Sequence, residues 1–220
     1  MRIYILKLEF LLWRFSLISE RKRKEGEFRK EIILTAAEKV FGKKLYDKVS
    51  VLDISKESGV CLQSIYNLFG SKKELYKNMV LFRISKFQKA LDEALKKKNN
   101  SLTLLKEWTN IFFSAMADFP QFFPVFLRER FHYEWGVETT LFSELHNVFE
   151  KEEKRLEYIL RKAQKENYLK KDVPIKYLKS VFFYFVQSKL KYHFRFKKCF
   201  EVKQCVEEIF CDFLSGLKQQ

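Results

Sequence analysis

A chain of 220 residues with 47% apolar side chains is long enough for one or two domains with a substantial core, which excludes a disordered polypeptide. Twenty-four Phe stand against 6 Gly and 3 Pro, too little turn chemistry for a many-stranded β protein, so composition favours an all-α fold. The formal charge of +15, from 43 basic and 28 acidic residues, points to polyanionic partners such as nucleic acid or an anionic membrane.

Met1 to Ile18 is apolar but carries Arg2, Lys7, Glu9 and Arg14. No uninterrupted stretch approaches the ~20 residues that cross a bilayer, and a basic run over Ser16–Lys24 stands where a signal peptide needs a cleavage site. No stable membrane insertion is expected. Three readings stay open, ranked in this order: a translated stretch upstream of the real start, a short amphipathic helix packing on the body, or a membrane-surface anchor. Ser19 to Glu27 has no apolar residue and reads as a solvated linker or arm, which either supplements phosphate contacts or only solubilises. Residues 1–27 are thus expected as an extension and linker.

From Phe28 the apolar residues Phe28, Ile32, Ile33, Ala36, Ala37, Val40 and Phe41 recur with a period near 3.6, predicting a first helix. Ser50-Val51-Leu52-Asp53 has the form of a capping box and predicts a second helix from Val51 to Ser58. Gly59 can take the left-handed conformation that ends it, and Val60-Cys61 leads into a third helix, Leu62 to Leu68. Ser71-Lys72-Lys73-Glu74 is a second capping box, opening a long helix whose first apolar residues are Leu75 and Met79.

Ile32 with Ala36-Ala37 and Phe41, then Tyr46, Ser50-Val51, Asp53-Ile54, Gly59-Val60, Ile65-Tyr66, Phe69 and Ser71-Lys72-x-Glu-Leu75 form an order that resembles the DNA-binding domain of the TetR family of transcriptional regulators. The resemblance covers residues 28–75 and implies a helix-turn-helix in which the helix from Leu62 enters the major groove. It implies phosphate contacts from Ser50, Tyr66 and Lys72, and contacts to base edges or nearby backbone from Leu62, Gln63, Ser64 and Asn67. The residue chemistry agrees: Gln pairs with adenine, an apolar group meets a thymine methyl, and Lys and Tyr hold phosphate without reading sequence. Four positions depart from the family pattern. Cys61 replaces a hydroxyl cap with a weak acceptor, Leu62 and Gln63 replace commonly polar or basic and small residues, and Leu45 replaces a common Gly. The apolar residues named here, Ile32 among them, would equally form the core of a three-helix unit with no DNA role; Tyr66 and Lys72 discriminate.

Residues 76–220 read as a helical regulatory and dimerisation domain. Helices are predicted over Leu75–Lys97, ending in the cations Lys96-Lys97-Lys98, over Leu102–Asp118, and from Gly136 to about Asn167. Asp172-Val173-Pro174 opens another at Ile175, running to about Phe194, and a last one carries Val202, Val206, Ile209, Phe210, Phe213, Leu214 and Leu217. Val181 to Val186 is apolar on every side and must be covered on more than one face. By resemblance the last two helices pair with a second copy, giving a homodimer whose recognition helices face successive grooves; the alternative is that both complete a monomer core. Trp108, Phe112, Phe113, Phe123, Phe126, Phe131 and Trp135 are candidates to line a pocket for a hydrophobic small-molecule effector, against the plainer reading of ordinary core in a Phe-rich chain.

Cys61, Cys199, Cys205 and Cys211 have no CxxC spacing and read as reduced, mostly buried thiols. His132, His146 and His193 are scattered with no second His at i+3 or i+4, so no metal is expected. Lys189 to Lys198 is basic and interleaved with aromatics, the solvated end of an apolar helix or a contact for nucleic acid or membrane. No GxSxG, HExxH, Walker or GxGxxG motif occurs, so neither catalysis nor a cofactor is expected. Three functions follow: a cytoplasmic, ligand-responsive regulator of double-stranded operator DNA, more often a repressor in such families; a membrane-peripheral helical binding protein; or a DNA-binding dimer without inducer response.

Overall fold

The computed structural model describes residues 2–97, 99–137, 142–196 and 201–217, apart from the side chains of 2–19, 142–144, 216 and 217. Lys98, Lys197, Lys198 and Cys199, and the side-chain environment of Met1 to Ile18, therefore lie outside the described residues. Those residues form α1 (Arg2–Lys43), a 3-10 turn (Tyr46–Lys48), α2 (Val51–Ser58), α3 (Leu62–Phe69), α4 (Lys72–Lys96), α5 (Ser101–Asp118), α6 (Phe122–Trp135), α7 (Phe142–Lys165), α8 (Ile175–Phe196) and α9 (Val202–Leu217), with no strand among them. The fold is all-α, and no helix among the described residues is long and apolar enough to cross a membrane. The chain divides into two compact units, Met1–Met79 and Val80–Gln220.

In the first unit, α1 packs on α2 and α2 on α3. Ile33, Ala36, Ala37 and Phe41 on α1 close against Val51 and Ile54 on α2, Ile65 and Phe69 on α3, and Leu75, Tyr76 and Met79, all buried. Each large apolar side chain so buried contributes roughly 1.5–3 kcal/mol. Two expectations are corrected here. Ile32 is 36% exposed, and Ile33 and Leu34 are the buried neighbours instead; adjacent β-branched residues leave the helical register ambiguous by one step. The segment expected as a linker, Ser19–Glu27, is helical and continuous with α1. Its helix is held not by a core stripe but by i,i+4 ion pairs, Arg21–Glu25 at 2.9 Å, Arg23–Glu27 at 2.7 Å and Lys24–Glu20 at 2.9 Å, each contributing about 0.2–0.5 kcal/mol.

Local signals set the short helices. The Ser50 hydroxyl accepts from Asp53 N–H at 3.1 Å while the Asp53 carboxylate accepts from Ser50 N–H at 2.9 Å, completing the capping box of α2. Gly59 ends it at φ 68°, ψ 9°, with its N–H on the Ser55 carbonyl, a conformation that costs a side chain ~1 kcal/mol or more. Cys61 stands at the N-cap of α3 without a side-chain cap bond, as its weak acceptor sulfur implies.

In the second unit, α5 is the central element, packing on α7 and α9, with α6 on α7 and α8 on both α7 and α9. The end of α7 is tied to the start of α5: Glu166 accepts from Ser101 N–H at 2.8 Å and from its hydroxyl at 2.7 Å, and Lys162 donates to the Asn99 carbonyl at 2.6 Å. The apolar stripe of α9, expected to need a partner surface, is largely buried within its own unit. Phe213 lies 5.0 Å and Phe210 6.4 Å, centroid to centroid, from Phe182 of α8. The outward face of α8 instead keeps Tyr177 and Tyr184 exposed and Val181 and Phe185 half-buried, around a shallow apolar groove. Of the cysteines described, only Cys205 is buried, 2.9 Å from His193 Nε2, while Cys61 and Cys211 are exposed; Cys61 stands at a helix start and Cys211 on the outer side of α9.

Candidate nucleic-acid interface and effector cavity

The eight residues of α3 have two sides. Ile65 and Phe69 are buried, whereas Leu62, Gln63, Tyr66 and Asn67 are exposed, Tyr66 at 43%. Positions i, i+1, i+4 and i+5 share one face of a helix, so these four side chains form one surface at the N-terminal and middle turns. Gln63 Nε2 donates to Asn67 Oδ1 at 2.9 Å, which orients the two amides together and leaves a Gln63 acceptor and the Asn67 donors for a base edge. Ser64 is half-buried, its hydroxyl 3.1 Å from the Cys61 sulfur. That contact, foremost, holds the exposed Cys61 thiol below its ordinary pKa, with a smaller contribution from the positive charge of Arg29.

Ser50 is exposed at the start of α2, its hydroxyl already donating to Asp53 Oδ2 at 2.9 Å. The same contacts hold the Asp53 carboxyl below its usual range. Lys72, at the start of α4, is half-buried. Its ammonium donates to the carbonyls of Tyr46 and Val49, both at 3.0 Å, and sits 4.3 Å from the centroid of the Tyr46 ring. Two of its three donors are thus used inside the domain, and one remains for a phosphate oxygen. Sequence reasoning missed this structural duty, because no motif signals which carbonyls a lysine will meet.

Within the second unit, an apolar cavity of about 370 Å³ opens among α4, α5, α6, α7 and α8. Of the seven pocket candidates, Trp108, Phe112 and Phe126 line it. Phe113 is wholly buried without lining it, and Phe123 packs on Phe194 at 4.9 Å. Phe131 and Trp135 face outward, 54% and 68% exposed. They lie four residues apart on the side of α6 opposite Phe122, Phe126 and the buried Arg130, a register that an almost uniformly aromatic segment does not disclose. Sequence reasoning missed Phe87, Phe119, Phe122, Phe149 and Phe183, the other phenylalanines of the lining; their aromatic character was visible but not their convergence.

A second, polar cavity of about 440 Å³ adjoins the first, and Trp108, Arg130, Glu152 and Phe183 border both. Arg130 is buried, paired to Glu134 at 2.8 Å and to Glu153 at 2.6 Å, with its guanidinium 4.4 Å from the Phe183 ring centroid. Lys179 binds the other oxygen of Glu153 at 2.5 Å. Glu152, paired with Arg155, is held above the usual carboxyl range by burial. The buried Trp108 Nε1–H has no hydrogen-bond partner among the described residues.

A helix-turn-helix with an exposed, amide-bearing recognition helix on a basic domain is the architecture of a DNA-binding protein. Residues 33–79 match the family described as bacterial regulatory proteins, tetR family, and this part of the chain is a TetR-family helix-turn-helix domain. No curated protein matches the chain in sequence. Solved structures extend the likeness of fold to the helical body. A putative fatty acid metabolism regulator of Clostridium perfringens is 23% identical with a TM-score of 0.73, over 86% of this chain and 100% of that one. FadR of Bacillus subtilis, in complex with stearoyl-CoA, is 18% identical with a TM-score of 0.71, over 84% of this chain and 98% of that one. The ketosteroid regulator KstR2 of Mycobacterium tuberculosis is 16% identical with a TM-score of 0.71, over 87% of this chain and 96% of that one.

Proposed function

We propose that this protein is a ligand-responsive transcriptional repressor that binds operator DNA as a homodimer in the cytoplasm and releases it on taking up a hydrophobic small molecule. The observation that carries the reading is the single exposed face of α3, with Gln63 and Asn67 coupled and Tyr66 beside them. In it Leu62, Gln63, Ser64 and Asn67 meet the groove, and Ser50, Tyr66 and the remaining donor of Lys72 grip phosphates. The apolar groove on α8 is the surface that a second copy would cover.

The effector reading is supported by the cavity lined by Trp108, Phe112, Phe126 and Phe183, whose buried indole N–H is a donor that a ligand oxygen would satisfy. A Phe-rich body without inducer response would instead have packed this space. Fatty-acyl compounds are the first class to try, since FadR of Bacillus subtilis was solved with stearoyl-CoA. The test is a gel-shift titration on the DNA upstream of the protein's own gene, across a salt series and with and without stearoyl-CoA. A specific complex that weakens with salt and dissociates with the ligand is expected. No sequence preference over random DNA at any salt overturns the reading.

A further inference from the structure

We propose that the N-terminal part of α1 is a second DNA-binding element, in which Lys22, Arg29 and Lys30 bind phosphates flanking the groove that α3 enters; the proposal rests on the reading of α3 as the recognition helix. The course of α1 carries the argument. Lys44 lies 3.6 Å from Asp53, near the start of α2, and Lys39 lies 3.1 Å from Glu57, near its end. The two helices therefore run antiparallel, and moving toward the N-terminus of α1 means moving toward the Gly59 turn and the first residue of α3. Ten residues before Lys39, a rise of about 15 Å, Arg29 comes within electrostatic reach of Cys61, the N-cap of α3. In helix-turn-helix docking the N-terminal residues of the recognition helix contact base edges, so what lies beside Cys61 lies beside the duplex.

The charges of this segment are sorted accordingly. Arg21, Arg23 and Lys24 are each paired with a carboxylate four residues away, whereas Lys22, Arg29 and Lys30 are exposed and make no ion pair among the described residues. Lys22 and Arg29 are seven residues apart, close to two full turns, and share the face that further along carries the buried Ala36. Both cations therefore sit on the side of α1 turned toward α2 and α3. Duplex DNA carries one charge per ~1.7 Å of axis, so a cation held beside it has phosphates within reach. The element is already helical, and little ordering entropy is lost when it binds.

The salt dependence of DNA binding by the full-length protein tests this, comparing wild type with K22Q/R29Q/K30Q on an operator fragment and on random DNA. Each phosphate contact removed lowers the slope of log K against log salt by about 0.9, so the triple variant is expected to lose about 2.7 per protomer. Its affinity should fall by the same factor on both DNAs, because phosphate contacts carry no sequence. A K170Q/K171Q control, which removes two exposed charges from the loop between α7 and α8, should keep the wild-type slope. An unchanged slope in the triple variant while wild type binds normally overturns the proposal and leaves the recognition helix standing. Failure of the wild type to bind DNA at all overturns both. Loss of sedimentation with anionic vesicles, with DNA binding intact, would assign the segment to membranes and likewise overturn it.

Discussion

The ammonium of Lys72 rests 4.3 Å from the centroid of the Tyr46 ring and donates to the Tyr46 carbonyl at 3.0 Å. One side chain thus secures both the face and the backbone of the turn between α1 and α2. Replacing it leaves the Tyr46 and Val49 carbonyls without this donor and removes the cation over the ring. Lys72→Met should cost about 1–3 kcal/mol of stability, measured by urea denaturation. The same variant should weaken operator and random DNA alike. Full retention of stability would show that these carbonyls are satisfied by water and that the residue serves DNA alone.

Two capping carboxylates should make the fold sensitive to acid. Asp53 and Glu166 are each held below the ordinary carboxyl range, first by hydrogen bonds from Ser50 and Ser101 respectively. Their folded-state values lie below the unfolded ones, so the unfolded chain binds more protons in the intervening window. Their contribution is complete above the unfolded value near pH ~4 and is lost as pH falls through the folded one. The urea midpoint should therefore drop between pH 5 and pH 3, and D53N/E166Q should show a smaller drop. Equal drops in the two proteins would place the acid sensitivity elsewhere.

Cys61 occupies an N-cap without making a cap bond. Cys61→Asp should stabilise the first unit by about 0.5–1 kcal/mol through a bond to the free N–H groups of α3. Its exposed thiol, with a lowered pKa, should also react with iodoacetamide faster than the buried Cys205. Operator DNA should slow that reaction, because the cap stands at the end of α3 that enters the groove in the proposed docking. Peptide mass mapping of alkylated Cys61 with and without DNA reads this directly, and equal labelling would contradict the docking of α3.

Ala115 lines the apolar cavity, and Ala115→Phe fills part of it. A ligand at 100 times its Kd stabilises the wild type by ~2.7 kcal/mol, visible as a rise in Tm. In the variant the rise with stearoyl-CoA should fall by half or more while DNA binding persists. An undiminished rise would put the ligand outside this cavity.

The short elements were legible because their causes are local. Ser50 with Asp53 and Gly59 after Ser58 each name a helix end in two or three residues. The extension of α1 was not legible, because no apolar stripe runs through Ser19–Glu27 and only the four-residue spacing of opposite charges holds it helical. The cavity was half legible. Trp108, Phe112 and Phe126 were recognisable as candidates, but the exposure of Phe131 and Trp135 depends on the rotation of α6, which its neighbours set and its own aromatic-rich sequence does not. The two carbonyls bound by Lys72 are backbone atoms more than twenty residues away, beyond any pattern that spacing records.

Trp108, Arg130, Glu152 and Phe183 border the apolar and the polar cavity alike. On the proposed effector reading, a guest in the apolar cavity would press on side chains that also wall the polar one, so a second guest there would not be indifferent to the first. Reciprocity then requires that whatever factor the first imposes on the affinity of the second be returned in full. A partition of this kind would let the proposed effector site report the coincidence of two compounds.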